Sequence, residues 1–228
     1  MAIAKKRVFT ILVMAVVALA MIMPAQLQDA RADEFNEAKY KKNITVYKDY
    51  IPVWVNMGSK INNAKGMTVK SSKPSVIKVN KYAIADRMVV FDTKKTGKAT
   101  LTIKIKKSSG TKTYKCKVKV VKYSSPAKSV KIAKKSFTKT FKKKNCYPVR
   151  KAKNLREKVR VKCKSGWKVT IYHTWMTSGG DFHKKTVKNG GKVKYRKSAE
   201  FECLVFSFYD KSRNYTISKT VDVNTNAL

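Results

Sequence analysis

The sequence predicts an all-β protein: two tandem antiparallel β-sandwiches behind an N-terminal signal peptide helix. Three observations carry this. Apolar residues recur with period two from Ile44 onward, turn residues interrupt that pattern at regular intervals, and no helical period lasts three turns after residue 43.

The chain starts with Lys5, Lys6 and Arg7, followed by an apolar run from Val8 to Met23 broken only by Thr10 and ended by Pro24. Ala30-Arg31-Ala32 places small residues at the two positions a signal peptidase reads, so residues 1–32 are expected to be a signal peptide cleaved before Asp33. An uncleaved anchor is the alternative, but the run falls short of the roughly 20 residues that span a bilayer. No later segment is apolar enough to cross, so no membrane span is expected once the signal is cut. The expected location is secreted or at the cell surface.

Residues 33–43 read as an N-terminal linker. Beyond it, Ala99, Leu101, Ile103 and Ile105 alternate with Thr and Lys, and Tyr114, Cys116, Val118 and Val120 alternate with Lys. Val159, Val161 and Cys163 repeat the scheme, and Val169 with Ile171 continues it. This is the pattern of half-buried antiparallel strands. Turns are expected at Lys73-Pro74, Thr96 to Lys98, Ser108 to Gly110, Ser178 to Asp181 and Asn189 to Gly191, the last as a hairpin because Asn and Gly accept positive φ cheaply. The segment 124–128, around Pro126, reads as a linker between units 44–123 and 129–228, each of a usual sandwich size.

The first unit carries Ser71 to Val79 (SSKPSVIKV), then Lys95 to Leu101 (KTGKATL), then Tyr114 to Val120 (YKCKVKV). In that order these segments resemble the group-2 bacterial immunoglobulin-like domain over roughly residues 44–122, departing from it between Val79 and Phe91. The resemblance implies a small β-sandwich of bacterial surface and secreted proteins, adhesins among them. In the second unit, Ser129 to Thr138 is similar to the first strand of a following domain of that family. Ser198 to Cys203 is similar to the Ser-Ala-x-Tyr-x-Cys end of an immunoglobulin domain, with Phe201 in place of the Tyr. The fold expected is therefore two tandem Ig-like sandwiches, with Cys163, Trp175 and Cys203 packed at the centre of the second.

Outside the cytoplasm thiols can pair. Cys163 and Cys203 fall on inward positions by strand parity, which makes them a possible disulfide; Cys116 reads as a buried free thiol and Cys146 as unpaired, with four reduced cysteines as the alternative. His173 and His183 with the cysteines lack metal-ligand spacing. No Ser or Cys clusters with His and a carboxylate, and no carboxylate pair stands out. The expectation is a non-enzyme with no cofactor and no metal.

Charge is the dominant feature. The chain has 53 Lys and Arg against 13 Asp and Glu. Without residues 1–32, 49 basic and 12 acidic residues remain, a net +37. Residues 128–164 hold 16 basic residues against Glu157 alone. Lysine on outward strand faces blocks edge pairing, yet that does not account for so few acids. A field this positive draws polyanions. The expected function is an exported, surface-associated binding or adhesion protein for anionic polymers, cell-wall teichoic acid or host sulfated glycans, with no specific nucleic acid. Lys142, Lys143, Lys144, Arg150, Lys151, Arg156 and Arg160 are the expected contacts. The alternatives are a passive spacer that docks other surface proteins and, last, a secreted enzyme with an unrecognised site.

Overall fold

A computed structural model describes residues 35–49, 51–143, 148–197 and 199–225. The signal segment, Lys144 and Cys146 lie outside them. The regular structure of the described chain is almost wholly strands. In the first part these are β1 (Asn36–Lys39), β2 (Asn43–Tyr47), β3 (Val53–Asn56), β4 (Gly66–Ser71), β5 (Ile77–Val79), β6 (Val89–Thr93), β7 (Gly97–Lys107) and β8 (Gly110–Val121). The second part has β9 (Ala127–Ile132), β10 (Lys135–Ser136), β11 (Val149–Lys151), β12 (Arg156–Cys163) and β13 (Trp167–Thr177). It continues with β14 (Phe182–Val187), β15 (Lys192–Lys194), β16 (Ala199–Asp210) and β17 (Tyr215–Asn224). Two short α-helices, α1 (Lys81–Ala85) and α2 (Thr138–Phe141), and a 3-10 turn at Gly58–Ile61 interrupt them.

The period-two runs become the long strands. In β7 the residues Ala99, Leu101, Ile103 and Ile105 are buried, and in β8 Cys116, Val118 and Val120 are. The two strands join through Ser108-Ser109, with Lys107 opposite Gly110, whose φ of 110° needs a residue without Cβ. They form the centre of a four-stranded sheet, β2-β8-β7-β4. A second four-stranded sheet runs β10-β9-β12-β15. Both pack on one nine-stranded sheet, β14-β13-β16-β17-β1-β3-β6-β5, with β11 also paired to β17. The result is two sandwiches whose inward residues form one continuous apolar cluster, from Val53, Phe91 and Ile103 to Val159, Phe206 and Ile217.

The shared sheet was not legible as such. Residues 36–39 fall in the segment read as a linker, yet β1 pairs in parallel with β3 and antiparallel with β17, joining the two units. Asn36 completes the joint: its side-chain amide donates to the Ile51 carbonyl (3.2 Å) and its Oδ1 accepts the Ser218 N–H (3.0 Å). Nearby, Lys219 of β17 bonds both carboxylate oxygens of Asp49 (2.8 and 3.1 Å), buried between the units.

The turn at Asn189 to Gly191 is not a hairpin. β14 pairs with β13 in the large sheet, whereas β15 pairs with β12 in the small one, so the turn crosses between sheets. It docks on β12 as a strand would. The Asn189 side chain donates to the Val161 carbonyl (2.9 Å) and accepts the Val161 N–H (2.8 Å), while Gly190 and Gly191 exchange backbone bonds with Val159. Positive φ at Gly190 (86°) permits this, as the dipeptide chemistry requires.

Candidate polyanion-binding surface

The four-stranded sheet around β12 buries one face and exposes the other. Glu157, Val159 and Val161 turn inward, and Arg156, Lys158, Arg160 and Lys162 turn outward. Residues directly opposite on paired strands share a face. On the β15 side Arg156 faces Lys194 and Lys158 faces Lys192; on the β9 side Arg160 faces Lys131. All are exposed. Seven cations therefore share this face: Lys131, Arg156, Lys158, Arg160, Lys162, Lys192 and Lys194. No acid sits among them. Three of the cross-strand pairs are like-charged and in direct opposition, which costs folding free energy.

The acids that could have neutralised this face lie elsewhere. Glu157, the one acid in the sheet, is buried beneath it, where Arg150 Nε donates to its carboxylate at 2.9 Å and Arg150 Nη2 closes a second bond. The Tyr195 hydroxyl (3.3 Å) and the Lys153 N–H (3.2 Å) donate to the same carboxylate. Burial and the Glu157 charge push the Tyr195 phenol well above its ordinary range. Asp210 is held by Ser212 and Arg213; burial raises its carboxyl, but these donors outweigh it and the net shift is downward. Glu202 pairs with His173 (2.6 Å) and Asp49 with Lys219.

The sequence-predicted contacts divide. Arg156 and Arg160 lie on the basic face, whereas Lys142 and Lys143 are exposed at the end of α2. Lys151 is exposed on β11, which belongs to the large sheet. Arg150 is corrected: it is 5% exposed and locked to Glu157, so it cannot meet a polymer. Reasoning from charge density alone missed Lys131, Lys158, Lys162, Lys192 and Lys194. The alternation in 156–162 was a sufficient signal for the β12 members; the others needed the strand pairing.

The cysteine pairing is also corrected. Cys163 is a free thiol at the end of β12, after a register shift between Lys162 and Cys163. Cys203 lies on β16 in the other sheet, where its sulfur is 2.8 Å from Thr174 Oγ1, and it faces Asp222 across the pair with β17. Leu204, Phe206 and Phe208 point into the sandwich, so Cys203 points out of it. Cys116 is free and buried, its thiol pushed up to about 12 by desolvation. Trp175 is not central either. It lies toward the sheet end opposite Glu202, stacked on His183 (centroids 5.1 Å apart) with Arg196 over its ring, and Phe201 is 43% exposed.

His173 and Glu202 form a His–carboxylate pair of the kind hydrolases use. The neighbouring hydroxyl and thiol, Thr174 and Cys203, project from the opposite face of the sheet, so no nucleophile from them meets the imidazole. Among the described residues no group of three His, Cys, Asp or Glu is placed to hold a metal ion, and no helix is long and apolar enough to cross a membrane.

The site thus defines an all-β protein with an acid-free, strongly basic sheet face. No known family model matches the chain, and no curated protein matches it either. Solved structures with some likeness include the extracellular portion of mouse CD200RLa, at 11% identity over 81% of this chain and 100% of that one, with a TM-score of 0.26. The fibronectin(III)-like modules of Clostridium thermocellum CbhA match at 13% identity over 80% and 87%, with a TM-score of 0.24. A SusE-like surface located polysaccharide binding protein from the heparin utilisation locus of Bacteroides thetaiotaomicron matches at 8% identity over 85% and 33%, with a TM-score of 0.26. The fold of this chain rests on its own strand pairing.

Proposed function

We propose that this chain is an exported, surface-associated, non-catalytic protein that binds anionic polymers, phosphate-linked cell-wall polymers or sulfated glycans, through the outer face of the β12 sheet. The resemblance of residues 44–122 to the group-2 bacterial immunoglobulin-like domain and the signal-like N-terminus belong to the same reading. One observation carries it: three directly opposed cation pairs stand on a face without an acid, while Glu157 is turned inward beneath them. A sheet selected only for solubility gains nothing from repulsion across its own strands, because mixed charge serves solubility as well. A polyanion lying along the face relieves that repulsion and releases its own counterions.

Retention on immobilised heparin tests the reading. The full chain is expected to elute only at high salt, and the variant R156Q/K158Q/R160Q at markedly lower salt. Retention that ignores salt, or no retention, would favour the passive spacer instead, and a triple variant that elutes with the wild type would remove the β12 face from the reading.

A further inference from the structure

The second small sheet repeats the device. Strands β2, β4, β7 and β8 contain no acid at all. Their exposed face carries seven lysines, Lys70, Lys98, Lys104, Lys106, Lys115, Lys117 and Lys119, interleaved with threonines. Lys117 faces Thr100, Lys115 faces Thr102 and Lys104 faces Thr113, while Lys98 opposes Lys119 directly. The acids in strands of the described chain, Glu157 excepted, all belong to the nine-stranded sheet: Glu37, Asp92, Glu200, Glu202, Asp210 and Asp222.

The two basic faces are fixed relative to each other by β1. Ala38 is opposite Val55 on one side and Tyr215 on the other, and all three are buried. The buried sides of β3 and β17 are therefore one and the same side of the large sheet. Both small sheets pack on it, and their basic faces look away from it. The Asn36 bridge and the buried Asp49–Lys219 pair tie the units together at that joint. The two faces thus stand side by side on one frame, turned relative to each other by the twist of the large sheet between them.

We infer that the protein is bivalent: a single linear polyanion long enough to pass from one small sheet to the other engages both faces at once. This inference rests on the polyanion reading above and specifies its ligand as long. A second face joined at fixed geometry makes the second contact intramolecular, which raises affinity by about 10²–10⁴ without new contacts.

The test compares a heparin tetrasaccharide with heparin of about twenty sugars, a length chosen so that one chain can bridge both faces. Binding is measured by calorimetry on the full chain, on K115Q/K117Q/K119Q and on R156Q/K158Q/R160Q. All six substitutions are at exposed positions, and an unreduced melting temperature verifies folding. The long chain is expected to bind the wild type at least a hundredfold more tightly than the tetrasaccharide. In each single-face variant that ratio is expected to fall to about tenfold, the statistical gain of a repeating polymer. Variants that keep the wild-type ratio overturn bivalency while leaving polyanion binding intact. If the wild type binds neither heparin probe, the polyanion reading itself falls.

Discussion

The repulsion built into the β12 face makes a quantitative claim about stability. In R156Q/K158Q/R160Q each of the three directly opposed pairs, Arg156–Lys194, Lys158–Lys192 and Arg160–Lys131, loses one charge. Cross-strand neighbours have Cβ atoms about 5 Å apart, so the flexible charged ends repel to about 7 Å. At that distance two unit charges in water repel by about 0.6 kcal/mol before screening. Screening leaves about 0.5 kcal/mol per pair at 10 mM salt and about 0.25 at 150 mM. Over three pairs the variant is more stable by about 1.4 kcal/mol at low salt and about 0.8 near physiological salt. For a chain of this size that is roughly 3–6 °C and 1.5–3 °C in melting temperature. The assay is thermal denaturation followed by circular dichroism at both salt concentrations, with and without heparin. Saturating heparin, at about a hundred times its Kd, should stabilise the wild type by about 2.7 kcal/mol and the variant by much less. The reasoning is refuted if the variant melts below the wild type at low salt, or if its advantage grows with salt.

Beneath the same face, Glu157→Gln leaves the Arg150 guanidinium buried without its counter-charge. Removing one partner of a buried pair costs about 3–5 kcal/mol, so the melting temperature should drop by roughly 6–20 °C. The double variant R150M/E157L should recover part of that loss, short of the cost of leaving the Tyr195 hydroxyl and the Lys153 N–H without their acceptor, and no recovery at all would refute the buried-charge account. Asp210 supplies a pH test. Its folded carboxyl is held below the ordinary 3.8, so the unfolded chain binds the proton more tightly and Asp210 stabilises at pH above that value. Asp210→Asn should therefore lower the melting temperature at pH 7, and the difference should shrink as the pH falls through and below 3.8. A difference independent of pH between 7 and 2 would assign the loss to packing instead of charge.

Much of this fold could be read from the chain, for a physical reason. Where a strand buries one face only, as in Ala99 to Ile105 or Val159 to Val161, the alternation records both the strand and the direction of each side chain. The same parity makes Arg156, Lys158, Arg160 and Lys162 legible as one exposed row. Where both faces are covered the record is lost. From Glu202 to Phe206 every residue is buried, and with no polar side to mark orientation Cys203 reads as inward when it points away from the core. Non-local pairing is silent too: Asn36 to Lys39 shows no apolar alternation, and its partner Tyr215 lies far along the chain. Arg150 failed for the second reason: it sits on a three-residue strand whose partner is the distant β17, and its counter-ion, Glu157, reads in sequence as a lone acid in a basic stretch. Charge density along the chain therefore points to the right region but to a mixed set of residues. The face emerges only when the acids are located as well. Glu157 is buried against Arg150 and the other strand acids lie in the nine-stranded sheet, which leaves the two small sheets without an exposed acid. The scarcity of acids and the position of the basic faces are thus one property of the fold.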